Sequence, residues 1–352
     1  MKPHRKLFEL ASDPPAFFKH LGESNGVLQF PTSSAPFLQS PLTLAPPPPQ
    51  YPEDIKIGEF IRLRNQCLPL LKFCSPEVEA PHMGLLGIGD TGSVWLTPGP
   101  KVYKVFQRPS SDQLAHEIVT SQYLNAKFPN NVIGYESSTV MEDGVTSVSE
   151  MRRLQGRDLF YACVGQLVSM VDIYDWMEEL VGVTKKLHEH GLLLRDIKPE
   201  NIFVLTKDRN PKMPRLRFID LSTVCFKDDD VMMAQRVGTE EYCHPRMLTD
   251  HCAYSHTTDV YSLLLTFIVM VVDDLPDMKC STIVNCDRLR SMCPSLHQFF
   301  VRHLLFAERT PHLEYPDDWQ QELLECIQYD RWRLSGQDTA STPEASCCKR
   351  RA

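Results

Sequence analysis

The sequence predicts an α+β protein in which a small, mostly antiparallel β region with one helix precedes a larger helical region. Residues 83–106 combine glycines with β-type alternation, and residues 113–126 have helical spacing. Strands are expected near residues 132–135 and 146–151. Residues 174–190 then carry an apolar side chain every three or four positions, as a half-buried helix does. The helices are therefore expected to follow the sheet along the chain.

The most apolar stretch is LLLTFIVMVV at residues 263–272. It is about half as long as a membrane span, which needs about 20 apolar residues. We therefore expect a buried core helix there and no membrane span.

Composition excludes some functions before any motif is considered. The chain has 352 residues, 42% of them hydrophobic, and a formal net charge of -8. That charge argues against a general nucleic-acid binder, which needs a concentrated basic face. The twelve cysteines are scattered, without paired CxxC motifs or a preceding secretory segment. Reduced thiols and an intracellular location, cytoplasmic or nuclear, are expected.

The two ends of the chain differ in composition from its middle. Residues 1–52 form a leader rich in proline and serine that ends in four consecutive prolines, and we expect it to be disordered. It is either a bare linker or the ligand of a proline-binding partner. Residues 53–82 are expected to pack on the following domain as an N-terminal extension. Residues 335–352 are polar and are expected to form a disordered tail.

A glycine-rich run lies within the β-patterned region. Its glycines would let backbone amides approach phosphate oxygens, and its valine would cover an adenine ring. A dinucleotide site would look similar, but there a helix follows, whereas here residues 102–106 return as a strand. The run consists of Gly87, Ile88, Gly89, Asp90, Thr91, Gly92, Ser93 and Val94.

Lys104 stands in the middle of that returning strand between apolar residues. A lysine is costly to bury there unless it meets an anion, and a nucleotide phosphate is such an anion. Glu117, on the helical stretch 113–126, is the candidate carboxylate to orient it. Lys101 is the rival lysine, although its neighbours are turn residues.

An RDIKPEN run at residues 195–201 follows the predicted helix and precedes an apolar β segment. This run resembles the catalytic loop of protein kinases. The resemblance implies a kinase domain over residues 83–334, with an N-lobe at 83–150, a C-lobe at 151–334 and ATP bound between them. It also implies a hinge near residues 150–151.

The resemblance assigns a role to each polar residue of the loop. Asp196 would accept or orient the proton of the substrate hydroxyl, and Lys198 would offset charge on the transferring phosphoryl group. Asn201 and Asp220, the latter at the end of a β run, would bind Mg²⁺. Thr239 would link Lys198 to Asp196. The implied cosubstrate and metal are ATP and Mg²⁺.

Two further segments resemble the family. GTEEYCHPR at residues 238–246 is similar to the stretch that shapes the substrate groove of serine/threonine kinases. DVYSL at residues 259–263 opens the apolar helix, and its Asp259 would brace the backbone of the catalytic loop.

Several positions depart from the family pattern. Leu194 replaces a histidine at a packing position and should preserve assembly. Leu221 and Ser222 replace the phenylalanine and glycine that follow the metal-binding aspartate, and loss of the glycine should restrict the backbone near Asp220. Arg246 replaces a glutamate that pairs with a distal arginine. Neither Arg331 nor Arg333 can pair with it, so the substrate segment should be weakened or differently braced.

Residues 224–237 contain no serine, threonine or tyrosine, so this stretch cannot be activated by phosphorylation. We hypothesise that Asp228, Asp229 or Asp230 supplies the negative charge that a phosphate would bring to Arg195. The alternative is a solvated acidic loop.

Together these features predict a serine/threonine protein kinase that transfers the γ-phosphate of ATP to a protein substrate. Lys198 is typical of serine/threonine rather than tyrosine kinases. A pseudokinase that acts by binding is the alternative suggested by Ser222 and Arg246. A small-molecule kinase would not be expected to carry Lys198 together with the GTxxY segment. Loss of family residues beside retained chemistry resembles kinases of large DNA viruses.

Overall fold

The computed structural model describes ten stretches of the chain, all within one compact unit. The predicted leader 1–52 and extension 53–82 lie outside the described residues, as does most of the tail 335–352. Those three boundaries stay predictions. The described stretches are residues 84–88, 92–96, 99–107, 111–140, 146–163, 168–206, 214–248, 254–272, 283–316 and 318–336.

The N-terminal lobe is a five-stranded antiparallel sheet with one long helix. The helix α1 (Ser111–Lys127) connects the third strand to the fourth. The spatial order of the strands is β1-β2-β3-β5-β4, so β3 is central. The strands are β1 (Gly84–Ile88), β2 (Gly92–Leu96), β3 (Lys101–Gln107), β4 (Ser137–Val140) and β5 (Thr146–Arg152).

Close packing explains two features of this lobe. A Cβ atom on Gly92 would lie 2.3 Å from the carbonyl oxygen of Val105, so only glycine fits where β2 pairs with β3. Phe106, Ile118 and Tyr135 form a small apolar core that joins the sheet to α1. These contacts fix the helix against the strand that carries Lys104.

The lobe differs from the sequence-based expectation at one place. The strand predicted at 132–135 is wrong, because Val132 makes only an isolated bridge to Phe218 and the strand begins at Ser137. The hinge predicted near residues 150–151 stays a prediction; Glu150 and Met151 pair with β3, and β5 ends at Arg152.

The C-terminal lobe is mainly helical, with short strands that carry the loops of the cleft. The helices are α2 (Leu159–Cys163), α3 (Met170–Glu189), α4 (Asp230–Met233), α5 (His256–Val272), α6 (Asp287–Met292), α7 (Pro294–Arg309) and α8 (Trp319–Leu334). The strands are β6 (Gly156–Asp158), β7 (Leu192–Leu193), β8 (Ile202–Leu205), β9 (Leu216–Phe218) and β10 (Cys225–Phe226).

The helix α5 is the centre of the lobe, as its apolar sequence predicts. Every residue from Thr257 to Val271 is buried. The helix α3 packs beside α5 and begins at Ser169, whose hydroxyl accepts a hydrogen bond from the amide of Asp172 at 3.1 Å. No helix in the described part of the chain is long and apolar enough to cross a membrane. The α+β fold with a β lobe and a helical lobe is confirmed.

Candidate active site

The loop between β7 and β8 brings Asp196, Lys198 and Asn201 together. The side-chain nitrogen of Asn201 donates to Oδ2 of Asp196 at 2.7 Å and to the backbone carbonyl oxygen of Asp196 at 2.9 Å. The Lys198 ammonium lies 3.2 Å from the same Oδ2. Both donors orient the Asp196 carboxylate and offset its charge.

Thr239 completes this cluster from a distant segment. Its backbone amide and its hydroxyl both donate to Oδ1 of Asp196, at 2.9 Å and 2.7 Å. Lys198 in turn donates to the Thr239 hydroxyl at 2.6 Å. The predicted link between Lys198 and Asp196 through Thr239 is therefore present in the geometry.

Asp259, at the start of α5, holds the backbone that precedes Asp196. Its two carboxylate oxygens accept the amides of Leu194 and Arg195, each at 2.8 Å. His188 contacts the Oδ2 oxygen at 2.9 Å. Arg195 has a left-handed φ of 63°, which is uncommon outside glycine, so these bonds stabilise a strained position. The predicted brace is thus observed.

Lys104 meets two carboxylates, one on α1 and one from the C-terminal lobe. Its ammonium lies 2.7 Å from Oε1 of Glu117 and 3.1 Å from Oδ1 of Asp220. Tyr135 also donates its hydroxyl to Glu117. Burial alone would lower the pKa of Lys104, but the charges of Asp220 and Glu117 outweigh burial and raise it. Lys104 therefore stays protonated.

Lys101, the rival lysine, is excluded by its surroundings. It is three residues before Lys104 on β3, so its side chain leaves the opposite face of the sheet. There it pairs with Glu136 and, at 2.7 Å, with Glu150, and about a third of its side chain is exposed. These surface pairs leave Lys104 as the lysine of the cleft.

The glycine-rich run forms the hairpin of β1 and β2 above Lys104. Gly87 and Ile88 end β1, and Gly92, Ser93 and Val94 begin β2. Val94 is the direct cross-strand partner of Lys104, so the two side chains share a face. Gly89, Asp90 and Thr91, which stand between these strands in the sequence, lie outside the described residues.

Asp220 is followed by a short 3₁₀ turn, Leu221–Thr223. Asp220 itself has a left-handed φ of 53°. Ser222, which replaces a glycine of the family pattern, does not have a positive φ, so the serine fits this conformation without strain. Its hydroxyl donates to Oδ1 of Asp220 at 2.9 Å. Burial would raise the pKa of Asp220, but Lys104 and this hydroxyl lower it.

Arg246 has a partner that the sequence did not predict. Its guanidinium lies 2.8 Å from the Glu314 carboxylate and 3.2 Å from the Ser255 hydroxyl. Arg331 instead pairs with Asp175 and Glu178. The substrate segment is therefore differently braced, by an ion pair whose charges are exchanged relative to the family pattern.

The hypothesised contact between an aspartate and Arg195 is wrong, because the partners of the guanidinium are not carboxylates. The Arg195 guanidinium donates instead to backbone carbonyl oxygens, those of Thr223 and Met232, each at 2.6 Å. Its Cζ atom also lies 5.0 Å from the centroid of the Tyr254 ring. Carbonyl oxygens accept from Nε and Nη1, so the segment is tied to Arg195 through its own backbone, while Nη2 is buried without a hydrogen-bond partner among the described residues.

Asp229 and Asp228 have different expected effects. Asp229 is buried and accepts a hydrogen bond from the amide of Met232 at 3.3 Å, which caps α4. We expect Asp229→Ala to lower the unfolding free energy by about 1 kcal/mol, the usual cost of a lost cap. Asp228→Ala, at an exposed neighbouring position, is the matched control. Urea titration of both variants measures the difference, and equal midpoints would contradict the capping role.

The cleft offers oxygen ligands suitable for Mg²⁺. Asn201 uses its amide nitrogen on Asp196, which leaves its Oδ1 oxygen for a cation. Asp220 accepts hydrogen bonds on Oδ1, while none of the described residues donates to its Oδ2. Within the described ranges, no cluster of three or more His, Cys, Asp or Glu could hold a metal. Mg²⁺ is usually bound by one or two carboxylates and completes its coordination with phosphates and water.

Sequence reasoning missed three contributors to this site. Glu314 lies 68 positions after Arg246, and Tyr135 lies 18 positions after Glu117. His116 contacts the carbonyl oxygen of Val224 at 2.8 Å and so joins α1 to the segment after Asp220. Each contact connects separate elements, and nothing in the local sequence of either partner marks it.

A buried lysine–glutamate pair, together with a cluster of aspartate, lysine and asparagine, is the set of polar groups that phosphoryl-transfer enzymes use. Comparison with known proteins agrees with this geometry. The family model described as protein kinase domain matches residues 84–331, well over half of the 352 residues. The chain therefore belongs to the protein kinase family.

Individual relatives are distant. Calcium/calmodulin-dependent protein kinase type IV of Mus musculus is 32% identical over 100 residues, 28% of this chain and 20% of the relative. A probable serine/threonine-protein kinase of Dictyostelium discoideum is 21% identical over 267 residues, 74% of this chain and 39% of the relative. The chain thus matches well under half the length of these relatives. The likeness to viral kinases stays a prediction.

Proposed function

We propose that the protein is an active serine/threonine kinase, which transfers the γ-phosphoryl group of ATP to a hydroxyl of a protein substrate. The observation that carries the proposal is the linkage of Asp196, Lys198 and Thr239. A lysine two residues after the aspartate, bonded to a threonine of the GTxxY segment, is the arrangement that the resemblance associates with serine/threonine specificity.

In the proposed reaction, the oxygen of the substrate hydroxyl attacks the γ-phosphorus of ATP. The bond between the γ-phosphorus and the oxygen that bridges it to the β-phosphate breaks, and ADP leaves. Four donors orient the Asp196 carboxylate, which accepts the proton of the substrate hydroxyl. Lys198 offsets the charge on the transferred group. Lys104 holds phosphate oxygens, and Glu117 fixes the position of its ammonium.

Asn201 and Asp220 would hold Mg²⁺, which neutralises charge on the phosphates when bound. The glycine-rich run from Gly87 to Val94 would cover the nucleotide. Ser222 and Arg246, which suggested a pseudokinase, both have partners that keep the site assembled. This support favours the active enzyme over the pseudokinase.

Carboxylates around Glu200 favour a basic test substrate. Glu200 interacts electrostatically with Lys198, Asp196 and Glu241. Burial raises the pKa of Asp158 to about 6, and the charge of Glu200 adds to the shift. A lysine or arginine of the substrate would reduce this repulsion.

The test is transfer of labelled γ-phosphate, with Mg²⁺, to a basic protein and to the chain itself. We expect label on serine or threonine, and loss of at least about a hundredfold in rate in Asp196→Asn, because asparagine cannot accept the proton. Label on tyrosine would contradict the specificity. If there were no transfer and ATP still raised the melting temperature, the protein would be a pseudokinase.

A further inference from the structure

The hydroxyl of Ser222 contacts the carboxylate proposed to bind the metal. It donates to Oδ1 of Asp220 at 2.9 Å, and the Lys104 ammonium lies 3.1 Å from the same oxygen. We infer that Ser222 is a positioning residue, which turns the Asp220 carboxylate so that Oδ2 is presented to Mg²⁺. This inference rests on the proposed function.

The two donors act together on the orientation of the carboxylate. Both donors bind Oδ1. A half turn of the carboxylate would only exchange its two equivalent oxygens, whereas a smaller rotation would move Oδ1 away from its position between the two donors. None of the described residues donates to Oδ2, and 44% of the Asp220 side chain is exposed. The structure therefore leaves one defined oxygen for a cation.

The position of Ser222 is itself fixed by its neighbours in the 3₁₀ turn. Leu221 is buried in the core of the C-terminal lobe, with 3% of its surface exposed. Thr223 donates its hydroxyl to the carbonyl oxygen of Leu194 at 2.8 Å, and the amide of Val224 donates to the carbonyl oxygen of Leu221 at 3.2 Å. Because the residues on both sides of Ser222 are fixed, its hydroxyl can position Asp220 with little further loss of freedom in the Ser222 side chain.

Orientation matters here because so few protein groups face the metal. Asp220 would be the single carboxylate and Asn201 the single amide at the proposed site. Magnesium requires a near-ideal octahedral arrangement, so a carboxylate free to rotate would bind it more weakly. A glycine at position 222, as in the family pattern, has no hydroxyl to donate.

Three substitutions separate the hydroxyl from the backbone. Ser222→Ala removes the hydroxyl, Ser222→Gly removes it and also frees the backbone, and Ser222→Thr keeps it. The measurement is calorimetric titration of Mg²⁺ into the full chain saturated with ADP. We expect Kd for Mg²⁺ to rise about threefold to tenfold in the Ala and Gly variants and to stay within about twofold in the Thr variant.

The unfolding midpoint in urea without ligand serves as a control. It should be similar to wild type in Ser222→Ala and Ser222→Thr, because the hydroxyl contacts a side chain that is half exposed, and somewhat lower in Ser222→Gly, which frees the backbone. Asp220→Asn should weaken Mg²⁺ binding more than any change at Ser222. Wild-type affinity in Ser222→Ala, or in Ser222→Gly, would overturn the inference.

Failure of the inference and failure of the proposed function can be told apart. Binding of Mg²⁺ with ADP does not require transfer, so a protein that binds but does not phosphorylate would remove only the proposed activity. An active kinase whose Ser222 variants all bind Mg²⁺ equally would remove only the role of Ser222. Absence of Mg²⁺ binding by the wild-type chain with ADP would overturn the inference as well.

Discussion

Lys104→Met is expected to lower phosphoryl transfer at least about a hundredfold and to destabilise the fold. The substitution keeps the volume of the side chain but leaves the Glu117 carboxylate, 4% exposed, without its cation. Removing one partner of a buried ion pair costs about 3–5 kcal/mol. Transfer from labelled ATP and urea unfolding measure the two effects.

Lys101→Met is the matched control, because it makes the same change on the same strand. Lys101 pairs with glutamates at the surface, and such pairs contribute about 0–1 kcal/mol. We expect nearly unchanged transfer and stability in this variant. Equal losses in the two variants would show that Lys104 is no more important than a surface lysine on the same strand, and would contradict the role given to Lys104.

Arg246→Glu is expected to lower the unfolding free energy by about 2–5 kcal/mol, since it places a carboxylate at a buried position facing Glu314. Glu314→Arg should also destabilise the protein. The double reversal restores an ion pair with the charge order of the family pattern. We expect it to recover most of the loss, with a coupling energy of about 1–3 kcal/mol measured by urea titration of all four proteins.

The ion pair should also depend on pH in a defined direction. Burial opposes ionisation of Glu314, but Arg246 and neighbouring hydroxyls outweigh burial and lower its pKa from 4.5 to about 2. The folded protein thus keeps this carboxylate charged where the unfolded chain takes up a proton. The contribution is complete above about pH 4.5 and is lost as the pH falls towards 2. The stability difference between wild type and Glu314→Gln should therefore narrow below pH 4.5, and a constant difference would contradict the pair.

Much of the site could be predicted from local sequence. The RDIKPEN run, Asp220 and the GTEEY segment each carry their polar residues at fixed spacing, because one loop or turn positions all of them. The apolar pattern of residues 263–272 likewise predicted a buried helix, since burial requires apolar side chains on every face. Lys104 was preferred over Lys101 because it alternates with apolar neighbours on a strand.

The errors arose where backbone pairing overrides pattern. Residues 132–135 are apolar enough for a strand, yet β5 pairs instead with residues 137–140. The proposed contact between an aspartate and Arg195 failed because backbone carbonyls, which every sequence has, accept from its Nε and Nη1 instead.

The sequence by itself determined the family, the order of the lobes and the polar residues of the cleft, because each of these is encoded within a short segment. Only the tertiary structure decided which partner each charge would meet. Glu314 reaches Arg246, His116 reaches Val224 and Ser222 reaches Asp220 through packing that brings separate elements or a turn into contact. A buried charged side chain bonds to the group that lies within about 3 Å of it in the folded chain. Which group lies there depends on how the whole core packs.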